Sequence, residues 1–594
     1  MDVALIHEEL ELISSQEKFF LVPVNSSTDE ALEIDRLNFD LQLIAKRDIK
    51  LNGHDKRRIV ALMGIIHLVA GPYLIVAVKR RPVGNIDGSM VYEVMETDII
   101  PFTKTTIHLS EPQGRDNDAY LAMIRRVLAT PGFYFSYRHD LTNSLQRVQH
   151  NCQTKGSTFT TLPLHERADE RFLWNGHLLR DLVVMPELRR FIVPIMVGNV
   201  SISQCKVNSK TFVFTLISRR SVRRAGVRFY VRGLDDEGNV ANYVETEQLV
   251  SYNGNKTSFI QTRGSIPLFW SQKPTLKYKP TPCVDVSADH AKAMQKHFDE
   301  QIVYYGQQVA VNLIDQKGSE KNLGDTFGKF IKSMSSCLIA YDAFDFHKEC
   351  SKMRWHRLSI LIDRLLPKLT EFGFYMADPS GTVVCVQQGV FRSNCIDCLD
   401  RTNVVQSMLA QKCLESQLQR LSVLGNKETL DKKEQFLKTF KNVWADNADM
   451  CSKQYAGTGA LKTDFTRTGS RSYAGMLRDG YNSAIRYFYN NFYDGFRQDS
   501  INLFLGDHEV DRWEGIVTPS PLHVERSWRF KTLPIVLLIG LSMLFMTLIL
   551  PSTNPLFQLL YILFWGLAVF ATLAYLYRYG PEFVDKPKLG KKGQ

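Results

Sequence analysis

Arg392-Ser393-Asn394-Cys395-Ile396-Asp397-Cys398-Leu399-Asp400-Arg401-Thr402-Asn403 is the run from which the rest of the chain is read outward. A cysteine stands six residues before an arginine, and a hydroxyl residue follows directly. That spacing suits a loop that takes a phosphoryl group onto sulfur. Thr382-Val383-Val384-Cys385-Val386 upstream reads as a buried strand, and Asn403 to Leu418 downstream reads as a helix. The order strand, loop, helix aims backbone amides and a helix N-terminus at one anion. A Cys-x5-Arg spacing alone is weak, because ten cysteines and roughly one arginine in twenty residues give about half a match by chance. Only Cys395 has an arginine at that offset.

Each side chain of the run suits a step of phosphoryl transfer. The local field would lower the thiol pKa of Cys395 and make a thiolate nucleophile. Arg401 can hold two equatorial oxygens and follow the charge into the transition state. Thr402 can donate to the departing sulfur. The backbone of Asn394, Ile396, Cys398 and Leu399 would line the phosphate. Asp397 is the first choice for the general acid. Asp400 is the alternative, and a carboxylate from another segment is a third option. The intermediate would be a cysteinyl-phosphate. No metal is needed and no ligand cluster is visible. Cys395 and Cys398 also read as Cys-x-x-Cys, but a zinc half-site lacks its second pair, and a redox dithiol has no use for Asp400-Arg401-Thr402.

The run, with Arg392 and Asn394 before the cysteine, resembles the signature of the Sac (suppressor-of-actin) phosphoinositide phosphatases. The resemblance extends to Arg171-Phe172-Leu173-Trp174-Asn175, Arg223-Arg224-Ala225-Gly226, Val244-Glu245-Thr246-Glu247-Gln248, Gln261 to Pro267 and Phe346-His347. It implies a Sac N-terminal module, a catalytic module and a membrane anchor like that of the family's integral endoplasmic-reticulum and Golgi member. It implies hydrolysis of phosphatidylinositol monophosphates, chiefly the 4-phosphate, with the 3-phosphate also accepted.

At 594 residues the chain is too long for one ordinary core. Residues 1–182 read as a β-rich module, with β-like runs at 19–24, 59–69 and 71–78. Residues 183–506 read as an α/β catalytic module, giving an α/β (α+β) class overall. Within it, 212–217 and 227–231 read as strands and 234–239 as a turn. Residues 291–311 and 354–372 read as helices, the latter kinked or broken at Pro367. Residues 507–531 read as a linker whose reach limits the geometry of action. Leu533 to Leu550 and Leu556 to Tyr577 contain no charged residue, are each long enough to span a bilayer, and are separated by the turn-forming 551–555. Basic residues flank the pair on both outer sides, so both ends would face the cytosol. In the basic tail 578–594, Lys591 and Lys592 match a dilysine address read by retrieval coat machinery. The expected location is the endoplasmic reticulum membrane, with the Golgi membrane.

A net charge of +11 fits an anionic membrane surface or substrate, and no nucleic-acid module is recognisable. Arg219, Arg220, Arg223, Arg224, Arg228 and Arg232 would either meet anionic headgroups or pair with Asp235, Asp236, Glu237, Glu245 and Glu247. Lys462, Arg467 and Arg471 would either reach inositol phosphates or sit in a solvated loop. His347 would either assist the site or be structural. A tyrosine phosphatase with the same loop and a non-catalytic lipid-binding tether are the competing functions.

Overall fold

The computed structural model describes residues 5–24, 27–49, 55–351, 354–468, 471–550 and 554–590. An N-terminal antiparallel sheet holds β1 (Leu10–Ser14), β2 (Lys18–Pro23), β3 (Ala31–Asp35), β4 (Leu41–Ile44) and β5 (Asp55–Ile59) in the order β4-β3-β2-β1-β5. Alternating apolar residues on β1 to β3 turn one face inward. That face packs on β6 (Ala61–Leu68) and β7 (Gly71–Ile86) through Leu12, Leu21 and Ile34 against Leu62, Leu74 and Val76.

The second sheet continues antiparallel through β8 (Ser89–Pro101), β9 (Phe133–Phe135), β10 (Met196–Val207), β11 (Lys210–Arg220), β12 (Val244–Tyr252) and β13 (Asn255–Arg263). Pairing of Phe133 with Val197 carries one sheet across the 182/183 position. A short antiparallel pair, β14 (Trp270–Ser271) and β15 (Cys283–Val284), brackets an outlying loop. The large sheet then turns parallel: β16 (Gln307–Asn312) lies between β17 (Ile339–Ala343) and β20 (Gly389–Asn394), and β20 runs parallel to β13. β18 (Tyr375–Ala377) pairs with β13, and β19 (Val383–Cys385) pairs with β18.

All six residues of β20 are buried, as a parallel strand covered on both faces requires. Helices α2 (His290–Tyr305) and α3 (Lys321–Met334) cover one face through Met294, Phe298, Phe327 and Ile331 against Ala310. Helices α4 (Leu358–Phe372) and α5 (Asp400–Arg420) cover the other, with Leu361, Leu365, Val405 and Leu409 on Val309 and Phe391. α1 (Glu111–Leu128) belongs to the N-terminal part, and α6 (Glu434–Ala456), α7 (Tyr473–Phe492) and α8 (Asp494–Leu505) to the catalytic part. α1 and α8 join in one core, where Ile124 and Val127 meet Phe504.

Four local expectations change. Residues 227–231 form a turn, with the Val231 N–H on the Val227 carbonyl at 3.1 Å. That coil puts Arg228 and Arg232 on one side. The helix expected over 291–311 stops at Tyr305, because Gly306 has φ 74°, and β16 follows. Pro367 leaves α4 unbroken; it lies on the exposed face, where water can take the carbonyl it frees. β19 is a short, half-exposed edge strand, and β20 is the strand that feeds the loop.

Two helices with uncharged central stretches, α9 (Trp528–Ile549) and α10 (Pro555–Arg578), form an antiparallel pair in which Gly540 faces Val569. At 1.5 Å per residue, 22 and 24 residues reach about 33 and 36 Å, enough to cross a bilayer. Leu538, Leu567 and Phe570 are each about two-thirds exposed, so this is no buried core hairpin. The segment 507–527 is not a free tether. Tyr120 of α1 donates to Glu514, and Leu522 is buried in the shared core. The chain after α10 is likewise built in: Leu589 is 1% exposed, and its N–H donates to Asp499 at 2.8 Å. Lys591 and Lys592 lie outside the described residues.

Candidate active site

Cys395 follows the last residue of β20, at the carboxyl end of a parallel corner where α/β sheets place ligands. Five residues later α5 begins. Leu399 precedes it with no side-chain cap, so the first-turn amides are not closed off by a side chain. Glutamines fix the helix behind the loop. Gln261 donates to the Gln406 carbonyl at 2.9 Å, Gln406 to the Thr262 carbonyl at 3.0 Å, and Gln248 to the Ala410 carbonyl at 3.1 Å. Arg392, fully buried, donates to His297 at 2.9 Å and to the Ser265 carbonyl at 2.7 Å. Residues of the sequence blocks around Glu245–Gln248 and Gln261–Pro267 therefore hold the loop from behind.

The thiol of Cys395 is pulled down to about 6. Hydrogen bonding from Cys398 is the largest cause, and the Cys398 N–H reaches Sγ at 3.1 Å. Burial opposes the shift, and the Arg401 charge adds to it. Cys398 holds φ 51° to aim that amide, a left-handed conformation uncommon outside glycine. Its own thiol donates to the Gly264 carbonyl at 2.9 Å, and burial pushes its pKa up. The two cysteines thus have opposite characters three residues apart.

Arg401 rests on Asp315 Oδ1 at 3.0 Å, the Leu313 carbonyl at 3.2 Å and Glu320 Oε2 at 3.4 Å. Thr402 is wholly buried, and its hydroxyl has no partner at full hydrogen-bonding geometry. The Asn394 side chain donates to Asn312 at 2.7 Å, away from the cleft. Ile396 accepts from Arg232 at 2.8 Å through its carbonyl.

The two loop aspartates are sharply different. Asp397 takes two bonds from Arg228, at 3.0 and 2.6 Å, and one from Arg232 at 2.6 Å. Burial would raise its pKa, but the two arginines win and hold it far below the usual carboxylate range. Asp397, the first choice for the acid from the sequence, is thus held by two arginines as a carboxylate, the form that has no proton to give. Burial raises Asp400 instead, against weaker opposition from Arg486 and from the Leu461 N–H at 3.2 Å. Glu320 is also raised by burial.

A cleft of about 510 Å³ opens over the loop. Cys395, Ile396, Asp397, Leu399, Asp400 and Arg401 line it from below. Lys462 and His347 also line it, with Tyr278, Lys279, Glu320, Arg486 and Tyr487 from segments the motif does not point to. Arg467 does not reach it; Asp446 holds it at 2.7 Å and Asn442 at 3.3 Å. Arg471 is paired with Asp464 and Asp479.

Most of the arginine-rich segment is committed to partners inside the protein, and the exposed Arg223 pairs with Glu300 at 2.6 Å. Arg219, 1% exposed, lies between Glu245 at 2.9 Å and Glu247 at 2.6 Å. Arg220 donates to the carbonyls of Gln454 and Gly226, and Arg224 to those of Gly233 and Arg232. Arg228 and Arg232 serve Asp397, a partner the sequence reading did not consider. Their i, i+4 spacing within a turn was the available signal, obscured by reading a strand.

Residues 60–351 match the SacI homology domain. Phosphatidylinositol-3-phosphatase SAC1-A of Danio rerio is 48% identical over 590 residues, covering 99% of each chain. Phosphatidylinositol-3-phosphatase SAC1 of Drosophila melanogaster is 45% identical, covering 98% of this chain and 97% of its own. The protein of the same name from Saccharomyces cerevisiae is 35% identical, covering 96% and 92%. Identity at this level over nearly the full length of each chain places this protein in the Sac1 phosphoinositide phosphatase family.

Proposed function

We propose that the chain hydrolyses phosphatidylinositol 4-phosphate, and also the 3-phosphate, through a cysteinyl-phosphate. The observation that carries this reading is a thiol lowered to about 6, opening with Arg401 into a cleft large enough for an inositol headgroup. Three relatives are named for phosphatidylinositol 3-phosphate hydrolysis, which supports the substrate class.

In the proposed mechanism the Cys395 thiolate attacks phosphorus. The sulfur–phosphorus bond forms as the bond to the inositol oxygen breaks. Arg401 leaves Asp315 and Glu320 to take two phosphoryl oxygens. Asp400, whose pKa burial raises, gives its proton to the departing oxygen. The Asp400 carboxylate then takes a proton from water as the water oxygen bonds to phosphorus and the sulfur–phosphorus bond breaks, and Thr402 supports the returning thiolate. The reading needs no metal. Lys462, with the backbone of Ile396 and Leu399, holds the headgroup.

α9 and α10 anchor the enzyme in the endoplasmic reticulum and Golgi membranes with both ends cytosolic. Lys591 and Lys592 are the address for retrieval. We read the 182/183 position as a division of labour, scaffold before and chemistry after, within one continuous sheet.

Vesicles carrying each phosphoinositide in turn test the proposal, with Cys395→Ser as control. Release from the 4-phosphate and 3-phosphate vesicles by wild type alone is expected. Equal release by wild type and variant refutes the enzyme and leaves a lipid-binding tether. Release from phosphotyrosine peptide but from no lipid turns the assignment to a tyrosine phosphatase.

A further inference from the structure

α7 carries an apolar stripe that nothing in the catalytic mechanism uses. Tyr473 is 86% exposed, Leu477 78% and Tyr481 67%, and Phe488 and Phe492 continue the line. At about 100° per residue these five fall within an arc of about 100°, one face of the helix. The opposite face points inward: Ser483, Arg486, Tyr487 and Asn490 line the cleft over Cys395. The first half of α7 is exposed on nearly every side and contains Gly475 and Gly480. Two glycines in an exposed stretch of helix disfavour it in water, and the bonds that hold this half come from Arg471 and the Lys462 N–H to Asp479, away from the stripe.

The far end of α7 lies beside the membrane helices. Tyr487 donates to the Leu276 carbonyl at 2.7 Å, and Asn491 accepts the Leu276 N–H at 3.1 Å. Leu276 belongs to the loop between β14 and β15. The neighbouring Lys277 lies 5.3 Å over the ring of Tyr577, in the last turn of α10. A Cβ at Gly580 would lie 2.2 Å from the Thr275 carbonyl oxygen, so chain and loop touch there. Asn491 also accepts the N–H of Asp585 at 2.7 Å. α7 is therefore fastened at the cytosolic end of the span, with its apolar stripe outward.

We propose that this stripe lies in the headgroup and upper acyl region of the same bilayer that α9 and α10 cross. Tyrosines, a leucine and phenylalanines on one face suit that interface, where an aromatic body is buried and a polar tip stays wet. Continuity with the spans favours lipid over a second copy of the chain. The helix then seats the cleft on the lipid surface. The inference rests on reading α9 and α10 as spans and not on the phosphatase chemistry.

The test uses the full chain reconstituted in phosphatidylcholine vesicles, with a benzophenone amino acid at position 477. Illumination is expected to add the mass of one phospholipid at that position. The same group at Val384, on the β18–β19 hairpin, is expected to add none. A crosslink between two chains at 477, or no lipid adduct there, overturns the proposal. No turnover is needed, so this result is separable from the fate of the phosphatase reading. In a second measurement, the double variant Leu477→Asp, Tyr481→Asp is expected to lose about tenfold in rate on vesicle-embedded phosphoinositide. It should keep its rate on a short-chain, water-soluble form of the same lipid. An unchanged rate on vesicles overturns the claim that the stripe seats the cleft.

Discussion

Two buried clusters in this molecule use the same side chains to opposite ends. Between β11, β12 and the 145–171 region, Arg147, Arg171 and Arg219 meet Asp169, Glu245 and Glu247, all at most 9% exposed. Arg219 is bound on both sides and Glu245 is held down to about 2. Around Cys395, arginines and carboxylates meet again, but the cluster is unevenly paired. Asp397 has two arginines, Asp400 has only distant ones, and Arg401 rests on two carboxylates beside an open cleft. A closed lattice gives rigidity. An uneven one beside a cavity leaves a low-pKa thiol, a raised acid and a cation that can change partners. Position relative to the cleft, more than residue type, separates scaffold from chemistry.

The contrast can be broken most strongly at the nucleophile. Cys395→Ser should lower phosphate release by at least about 10⁴-fold with the thermal midpoint retained, measured on phosphoinositide vesicles. In the closed lattice, Glu245→Gln should leave Arg147 and Arg219 short of charge. The expected cost is about 3–5 kcal/mol of stability by denaturant titration, with the turnover of folded enzyme kept. Arg401→Lys should cost about 10²–10³ in kcat with little change in stability, because a point charge cannot hold two oxygens in a fork.

Asp400→Asn should cost about 10² and flatten the alkaline limb of the pH–rate profile. The sign follows from its role: a protonated acid is lost as pH rises through its raised pKa. The acid limb should remain, because the Cys395 thiolate is lost as pH falls through about 6. Asp397→Asn should leave the alkaline limb in place; loss of that limb would reverse the assignment of the two aspartates. The smallest effect concerns the thiol itself. The midpoint of Cys395 alkylation against pH should move down in Asp397→Asn and up in Arg401→Gln, since the two charges act on it in opposite directions.

Much of this was legible in the sequence where the signal is local. The apolar spans stand within a few residues of α9 and α10, because length and absence of charge need no tertiary context. Cys395, Asp397, Asp400 and Arg401 come together on the cleft because they lie in one loop. Long-range features were not legible. Arg228 and Arg232 are about 165 residues from Asp397, and nothing near Asp397 says that it, and not Asp400, is taken. Arg467 looked eligible by type and neighbourhood, but α6 supplies Asp446 and Asp449 to hold it elsewhere. The 507–531 segment reads as a linker from its prolines, yet Glu514 and Leu522 dock its first part on the N-terminal part.

The most direct test of the central claim is rapid acid quench of the enzyme mixed with phosphatidylinositol 4-phosphate labelled with radioactive phosphorus at the 4-phosphate. Label on the peptide containing Cys395, absent in Cys395→Ser and prolonged in Asp400→Asn supplied with a substrate of good leaving group, is the predicted result. Phosphate release at the full wild-type rate with no label on that peptide at any quench time would contradict it.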